Sequence, residues 1–373
     1  MSQFRYKVTH NDPNTEARAG LLETPHGEIE TPIFMPVGTA GTVKGIKPRE
    51  LEEMEAQIIL GNTYHLFLRP GHELVQEAGG LHRFVGWNRP MLTDSGGFQV
   101  FSHGERCKIS EEGVEFRSHL DGSKKWLGPE ESMEVQNALG ADIIMAFDEC
   151  AALPATRDKI RSAMDRTTRW LDRCIKAHKR EDQALFGIIQ GGIEEDLRLE
   201  HLEQLAEFDL PGYAIGGLSV GEEPEDMYRI VNAVAPKMPA NKPRYLMGVG
   251  RPIDLVHCVA GGIDMFDCVM PSRNARNAFM FTREAPIKIR NAKYKSDWRP
   301  VDETCSCYTC QNFSRAYLRH LFVSKEMLGP ILASHHNLHF YLNLMKEMRT
   351  EIRNGTFGEW YKAYVAKHES LQG

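Results

Sequence analysis

The run ADIIMAFDE, residues 141–149, decides the fold when read with its sequel, TRDKIRSAMDRTTRWLDRCIKAHK (156–179) and then ALFGIIQGG (184–192). The first run is apolar and continuous until it ends in two acids, the signature of a strand buried on both faces rather than one. The middle segment has the length and charge of a crossover helix, and the third run repeats the first. A buried strand, a helix and another buried strand make one parallel unit.

The same unit recurs on both sides. Upstream lie PIFMPVGT (32–39), AQIILGNT (56–63) and PMLTDSGG (90–97); downstream lie GYAIGGLSVG (212–221), RYLMGVG (244–250) and GIDMFDCV (262–269). Eight such runs predict an α/β fold, a (β/α)8 TIM barrel, with a doubly wound open sheet as the alternative. Two regions break the rhythm. Residues 98–130 make a longer excursion in which VEFRSHLDGSKKWL reads as a hairpin about Asp121-Gly122. Residues 271–340 are basic and carry cysteines. The expected division is therefore 1–270 for the barrel with its N-terminal segment and rim hairpin, 271–340 for a zinc-binding subdomain, and 341–373 for a helical region that closes the barrel.

Polar residues gather where the runs end. Asn62, Asp94, Asp148, Gln190 and Asp267 all stand at or just beyond the C-terminal end of an apolar run, the rim on which barrel enzymes collect catalytic groups. Beyond Asp267 come Arg273 and Arg276, which read either as salt-bridge partners or as holders of an anionic substrate. The chain carries a net charge of −6, but residues 271–300 contain eight Lys and Arg against Glu284 and Asp297, so the rest is strongly acidic. That pattern excludes a protein that coats nucleic acid through bulk charge and fits one localised polyanion docking site. No apolar run is long enough to cross a membrane and the N-terminus lacks a signal-peptide core, so a cytoplasmic protein is expected.

CSCYTC places Cys305, Cys307 and Cys310 within six residues, with His335, His336 and His339 downstream. Three thiolates and one imidazole make the closed tetrahedral set of a structural zinc, Zn2+, whose binding would order a segment too small for a core of its own. Cys107, Cys150, Cys174, Cys258 and Cys268 are scattered and read as packing residues.

Taken in order, LTDSGGFQVFS, FDEC, FGIIQGG, GGLSVGE, RYLMGVG, DMFDCVMPSRNARN and CSCYTC with its distant His resemble the bacterial tRNA-guanine transglycosylase family over nearly the whole chain. The resemblance implies replacement of guanine at the wobble position of GUN-anticodon tRNAs by 7-aminomethyl-7-deazaguanine (preQ1). It implies Asp267 as nucleophile and Asp94 as general acid/base, with Asp148, Gln190, Gly217 and Leu218 reading the base edge and Phe98 and Met247 sandwiching the ring. Arg273 and Arg276 would hold tRNA phosphates around the anticodon stem-loop. Cys305, Cys307, Cys310 and His336 would be the zinc ligands, with His335 as rival, and the chain would form a homodimer. Val220 stands where relatives that accept the bulkier queuine tend to have glycine, which favours preQ1. Ala278 stands where many relatives have glycine. The competing readings are a non-catalytic, zinc-ordered RNA-binding subunit and a barrel hydrolase of free nucleosides.

Overall fold

The computed structural model describes residues 4–102, 107–152 and 154–371. Its centre is a closed barrel of eight parallel strands: β1 (Ile33–Gly38), β2 (Ile59–Gly61), β3 (Met91–Thr93), β4 (Ile143–Met145), β5 (Ala184–Ile189), β6 (Gly212–Ile215), β7 (Arg244–Leu246) and β8 (Met265–Cys268). They neighbour one another in chain order, and β8 closes on β1 with Asp267 opposite Met35. All eight predicted runs are strands of this one sheet, and the open-sheet alternative is excluded by the closure.

Side-chain alternation explains why every run looked apolar. Ile33, Met35 and Val37 join Leu60, Leu92, Met145, Phe186 and Tyr245 in the packed interior, whereas Phe34 faces outward onto Tyr341 of the long C-terminal helix, ring centroids 4.9 Å apart. Gly212 is required by this filling, since a Cβ there would meet the Phe186 ring at 2.3 Å. Helix Arg157–Ala177 begins at Thr156, whose side chain accepts from the Lys159 amide, and buries Ile160, Met164, Leu171 and Cys174 on one face.

Outside the predicted runs the chain adds a three-stranded antiparallel sheet (Arg5–Asn11, Arg18–Thr24, Gly27–Thr31). It closes the N-terminal mouth, with Tyr6, Leu22 and Ile29 extending the barrel-interior core. The hairpin at 114–127 is present as Val114–Arg117 paired with Lys124–Leu127, and Lys108–Ile109 adds a third strand. Helix Leu328–Asn354 runs unbroken through position 340, so the basic insert and the barrel-closing region share one element. The insert also has a core of its own, in which Met280, Ile289, Leu318, Phe322 and Leu332 surround Cys307 and Cys310. Metal is therefore not its sole source of order.

Candidate active site

At the C-terminal mouth the strand ends frame a cavity of about 330 Å³ whose lining includes Asp94, Asp148 and Asp267. Asp267 is delivered by β8 itself, one residue before the strand ends at Cys268. Its Oδ1 accepts from the Tyr245 hydroxyl at 2.6 Å and from the Gly248 amide at 2.8 Å. Burial raises the pKa of this carboxyl, and those two hydrogen bonds oppose the rise. Both bonds fall on one oxygen, so Oδ2 is left without a donor among the described residues.

Asp94 follows β3 and is buried. Its Oδ1 accepts from the Thr63 amide at 2.7 Å, and Oδ2 accepts from the Asn62 side chain. Burial pushes its pKa up to about 6, the bonds from Thr63 and Asn62 oppose that shift, and the charge on Asp267 adds to it. A carboxyl near pH 6 can both give and take a proton at neutral pH.

Asp148, past β4, is likewise pushed up to about 6 by burial, against hydrogen bonds from Ser95 Oγ (2.9 Å) and Gln190 Nε2 (2.7 Å). The turn carrying Ser95 lies tight against this acid: a Cβ on Gly97 would come within 2.8 Å of the Asp148 carbonyl oxygen. Gln190 is buried and spends its amide nitrogen on Asp148; it does not line the cavity. Gly217, Leu218 and Val220 do, on the loop after β6, where the Glu222 carboxylate accepts from the Ser219 and Val220 amides.

Phe98 is 49% exposed at the cavity wall, whereas Met247 lines the cavity while packing partly against the barrel interior. Arg273 is exposed and also lines the cavity. Arg276 is half-buried with its Nη1 lacking a hydrogen-bond partner among the described residues, and burial followed by the charge of Arg273 lowers its pKa. Neither arginine is engaged in an ion pair among the described residues, so the salt-bridge reading of this stretch fails. Ala278, close behind, sits at φ 66°, the left-handed conformation that glycine adopts more readily.

The sequence model of the family described as queuine tRNA-ribosyltransferase matches residues 12–370 of this chain. The chain belongs to that family. Proteins named queuine tRNA-ribosyltransferase from Caldanaerobacter subterraneus subsp. tengcongensis and from Thermoanaerobacter sp. are each 56% identical to it over 369 residues, 99% of this chain and 98% of theirs. One from Lysinibacillus sphaericus is 56% identical over 366 residues, 98% of this chain and 96% of its own.

In this queuine tRNA-ribosyltransferase family member, a second constellation stands in the insert. Cys305, Cys307, Cys310 and His336 bring their ligand atoms within 4.8 Å of one another, a group able to hold a metal ion. The sulfurs lie 3.8, 3.5 and 3.3 Å from His336 Nδ1. Ligands at about 2.3 Å (S) and about 2.0 Å (N) from a tetrahedral zinc are about 3.5 Å apart, so the spacing fits. His336 Nε2 lies 2.6 Å from the Phe281 carbonyl, to which it donates, leaving Nδ1 bare toward the sulfurs. His335, the rival, falls outside the group and meets the edge of Tyr308.

Several contributors were not singled out from sequence. Tyr245 reads as an ordinary aromatic strand residue, yet a buried phenol needs a partner, and here that partner is Asp267. Ser95 and Gln99 sit inside a quoted motif without an assigned role; both are cavity-lining. Cys150 and Cys268, expected to be packing residues, line the cavity too.

Proposed function

We propose that this chain exchanges guanine in tRNA for preQ1 by double displacement. Asp267 Oδ2 bonds to the ribose C1′ as the bond from C1′ to the purine nitrogen breaks and its electron pair leaves with the base. Asp94 supplies a proton to departing guanine and afterwards takes one from incoming preQ1, whose nitrogen then displaces the Asp267 carboxylate. Two inversions retain the β configuration. Asp148, when ionised, accepts from both N–H groups of the guanine edge, with Gln190 holding it in place and the loop at Gly217 and Leu218 facing the opposite edge. Phe98 and Met247 take the two faces of the ring. Val220 narrows the pocket in favour of preQ1.

The observation that carries this reading is the convergence of three carboxylates on one base-sized cavity whose wall also carries Arg273, an arginine in no ion pair among the described residues. A non-catalytic RNA-binding subunit has no need of that convergence, and a free-nucleoside hydrolase has no use for Arg273, Arg276 and the basic insert. A nucleotide flipped out of the anticodon loop would reach the acids while its phosphates meet the arginines. One structural Zn2+ on Cys305, Cys307, Cys310 and His336 would stiffen the insert that grips the RNA and take no part in the chemistry. The proposal includes a homodimer, checked by sedimentation velocity, and a cytoplasmic location; among the described residues no helix is long and apolar enough to cross a membrane. Incubation with unmodified GUN-anticodon tRNA, denaturation and electrophoresis tests the core of it: a covalent protein–RNA adduct is expected, and its absence under conditions where base exchange proceeds would overturn the mechanism.

A further inference from the structure

At the opposite mouth of the barrel, three side chains from distant parts of the chain meet. Asp142 directly precedes β4 and its side chain is fully buried. His26 is in the turn between Arg18–Thr24 and Gly27–Thr31 of the N-terminal sheet, and His82 is in the short helix Leu81–Val85. His26 Nδ1 lies 2.8 Å from Asp142 Oδ1, His82 Nε2 lies 3.1 Å from Oδ2, and the two imidazoles are stacked with centroids 3.6 Å apart. One ligand atom from each lies within 4.8 Å of the other two.

We propose that His26, His82 and Asp142 form a second metal site, for a transition-metal dication such as Zn2+, Co2+ or Ni2+. Two imidazole nitrogens and one carboxylate oxygen suit those ions rather than Mg2+ or Ca2+, which prefer oxygen alone. The carboxylate is already oriented from behind, by the Met91 amide at 2.8 Å and the His26 amide at 3.2 Å, the kind of outer support that metal-ligating carboxylates have. His26 is 39% exposed, so its ring can swing out of the stack and leave a solvent-facing coordination position. Binding the ion requires His26 Nδ1 and His82 Nε2, the nitrogens that face Asp142, to be bare, with each ring's proton on its other nitrogen. Arg180, a cation whose field bears on Asp142, is itself paired with Asp182 at 2.6 Å and does not block a dication outright. The bound ion would pin the N-terminal sheet to the barrel floor, far from the chemistry.

Full-length protein carrying one equivalent of zinc is titrated with Co2+ by calorimetry and absorption spectroscopy. A second equivalent is expected, with weak d–d bands and without the strong thiolate-to-cobalt charge transfer that exchange into the cysteine site would give. His26→Gln, a surface change, and His82→Gln should each remove this second equivalent or weaken it by about tenfold or more, while zinc in the cysteine site stays at one equivalent. Wild-type protein that takes no second ion, or a second ion that binds His26→Gln unchanged, would show that the triad is only a hydrogen-bonded brace.

Discussion

The Tyr245 hydroxyl donates to Oδ1 of Asp267 at 2.6 Å, and the Gly248 amide donates to the same oxygen at 2.8 Å. One carboxylate oxygen is thereby fixed, and its twin is left for the attack proposed above. The arrangement separates orientation from reactivity within a single side chain, and it makes the consequences of substitution unusually specific.

Asp267→Asn can keep its carbonyl oxygen under both donors and place its amide where Oδ2 stood, so the fold should tolerate it. Exchange of radiolabelled guanine into tRNA should fall by about 10³-fold or more, and the covalent adduct should vanish. Stability should move the other way. The folded-state pKa of Asp267 is raised, chiefly by burial; ionisation therefore opposes folding as pH rises through that value, and the neutral amide removes the penalty. Thermal unfolding at pH 8 should show the variant at or above wild type, with the difference disappearing in acid, where the carboxyl is protonated in both states. A variant less stable at pH 8 would contradict the argument.

Tyr245→Phe deletes a hydrogen bond to a charged group, worth about 1.5–3 kcal/mol, so turnover should fall by about ten- to hundredfold. Because that bond holds the Asp267 pKa down, its loss raises it further. The acid limb of the pH–rate profile should shift to higher pH, a displacement that loss of packing alone would not produce.

How legible all this was in sequence depends on what each residue's neighbours do. The barrel strands could be found because parallel strands buried on both faces leave continuous apolar runs, and Ile33, Phe34 and Met35 look alike although Phe34 packs outside and the others inside. Arg5–Asn11 was invisible because only one of its faces meets the core, and its exposed Arg5, Lys7 and His10 read as a polar tail. The acids were conspicuous at strand ends, but their division of labour came from the family resemblance. Tyr245 could not be placed, and Gln190 could be placed on the rim but not given its bond to Asp148, since what each does is set by a hydrogen bond to an acid 22 and 42 residues away. The core of the insert escaped notice because its apolar residues are dispersed among cations and acquire a common face only once the chain is folded.

Burial pushes the pKa of Asp148 up to about 6. In the proposed mechanism its ionised form accepts from the base, so guanine affinity should be full above that value and fall by up to about tenfold per unit below it. Isothermal titration with guanine across pH 5–8 measures this directly. Asp94→Asn should leave the midpoint in place, whereas Asp148→Asn should weaken binding throughout and erase it; a midpoint that survives in Asp148→Asn would assign the titration elsewhere.

Val220 lines the cavity, and its amide is held at 3.0 Å by Glu222, a bond that glycine would retain. Removing the isopropyl group should enlarge the pocket without moving the loop. Competition between preQ1 and queuine for incorporation should therefore swing toward queuine by about tenfold, the scale on which a pocket discriminates a few carbon atoms. Unchanged competition would locate the size limit at another wall.

The cysteine site and the active site lie on different elements, and this makes metal loss separable from loss of chemistry. Cys305, Cys307 and Cys310 are tied to His336 on the helix Leu328–Asn354, which continues past the insert to pack on β1 through Tyr341. Chelation, or Cys310→Ser, should loosen the insert but not unfold it, because Met280, Ile289, Leu318 and Phe322 still form a core. Guanine binding to the barrel cavity should stay within about twofold of wild type, while affinity for an anticodon stem-loop, which the proposed function assigns to Arg273, Arg276 and the basic segment beyond them, should drop by about tenfold or more. Filter binding with labelled RNA, beside calorimetry with free guanine on the same metal-depleted sample, reads the two effects independently. Equal loss of both would mean that the metal supports the barrel itself; loss of neither would leave the four ligands without the structural role assigned to them.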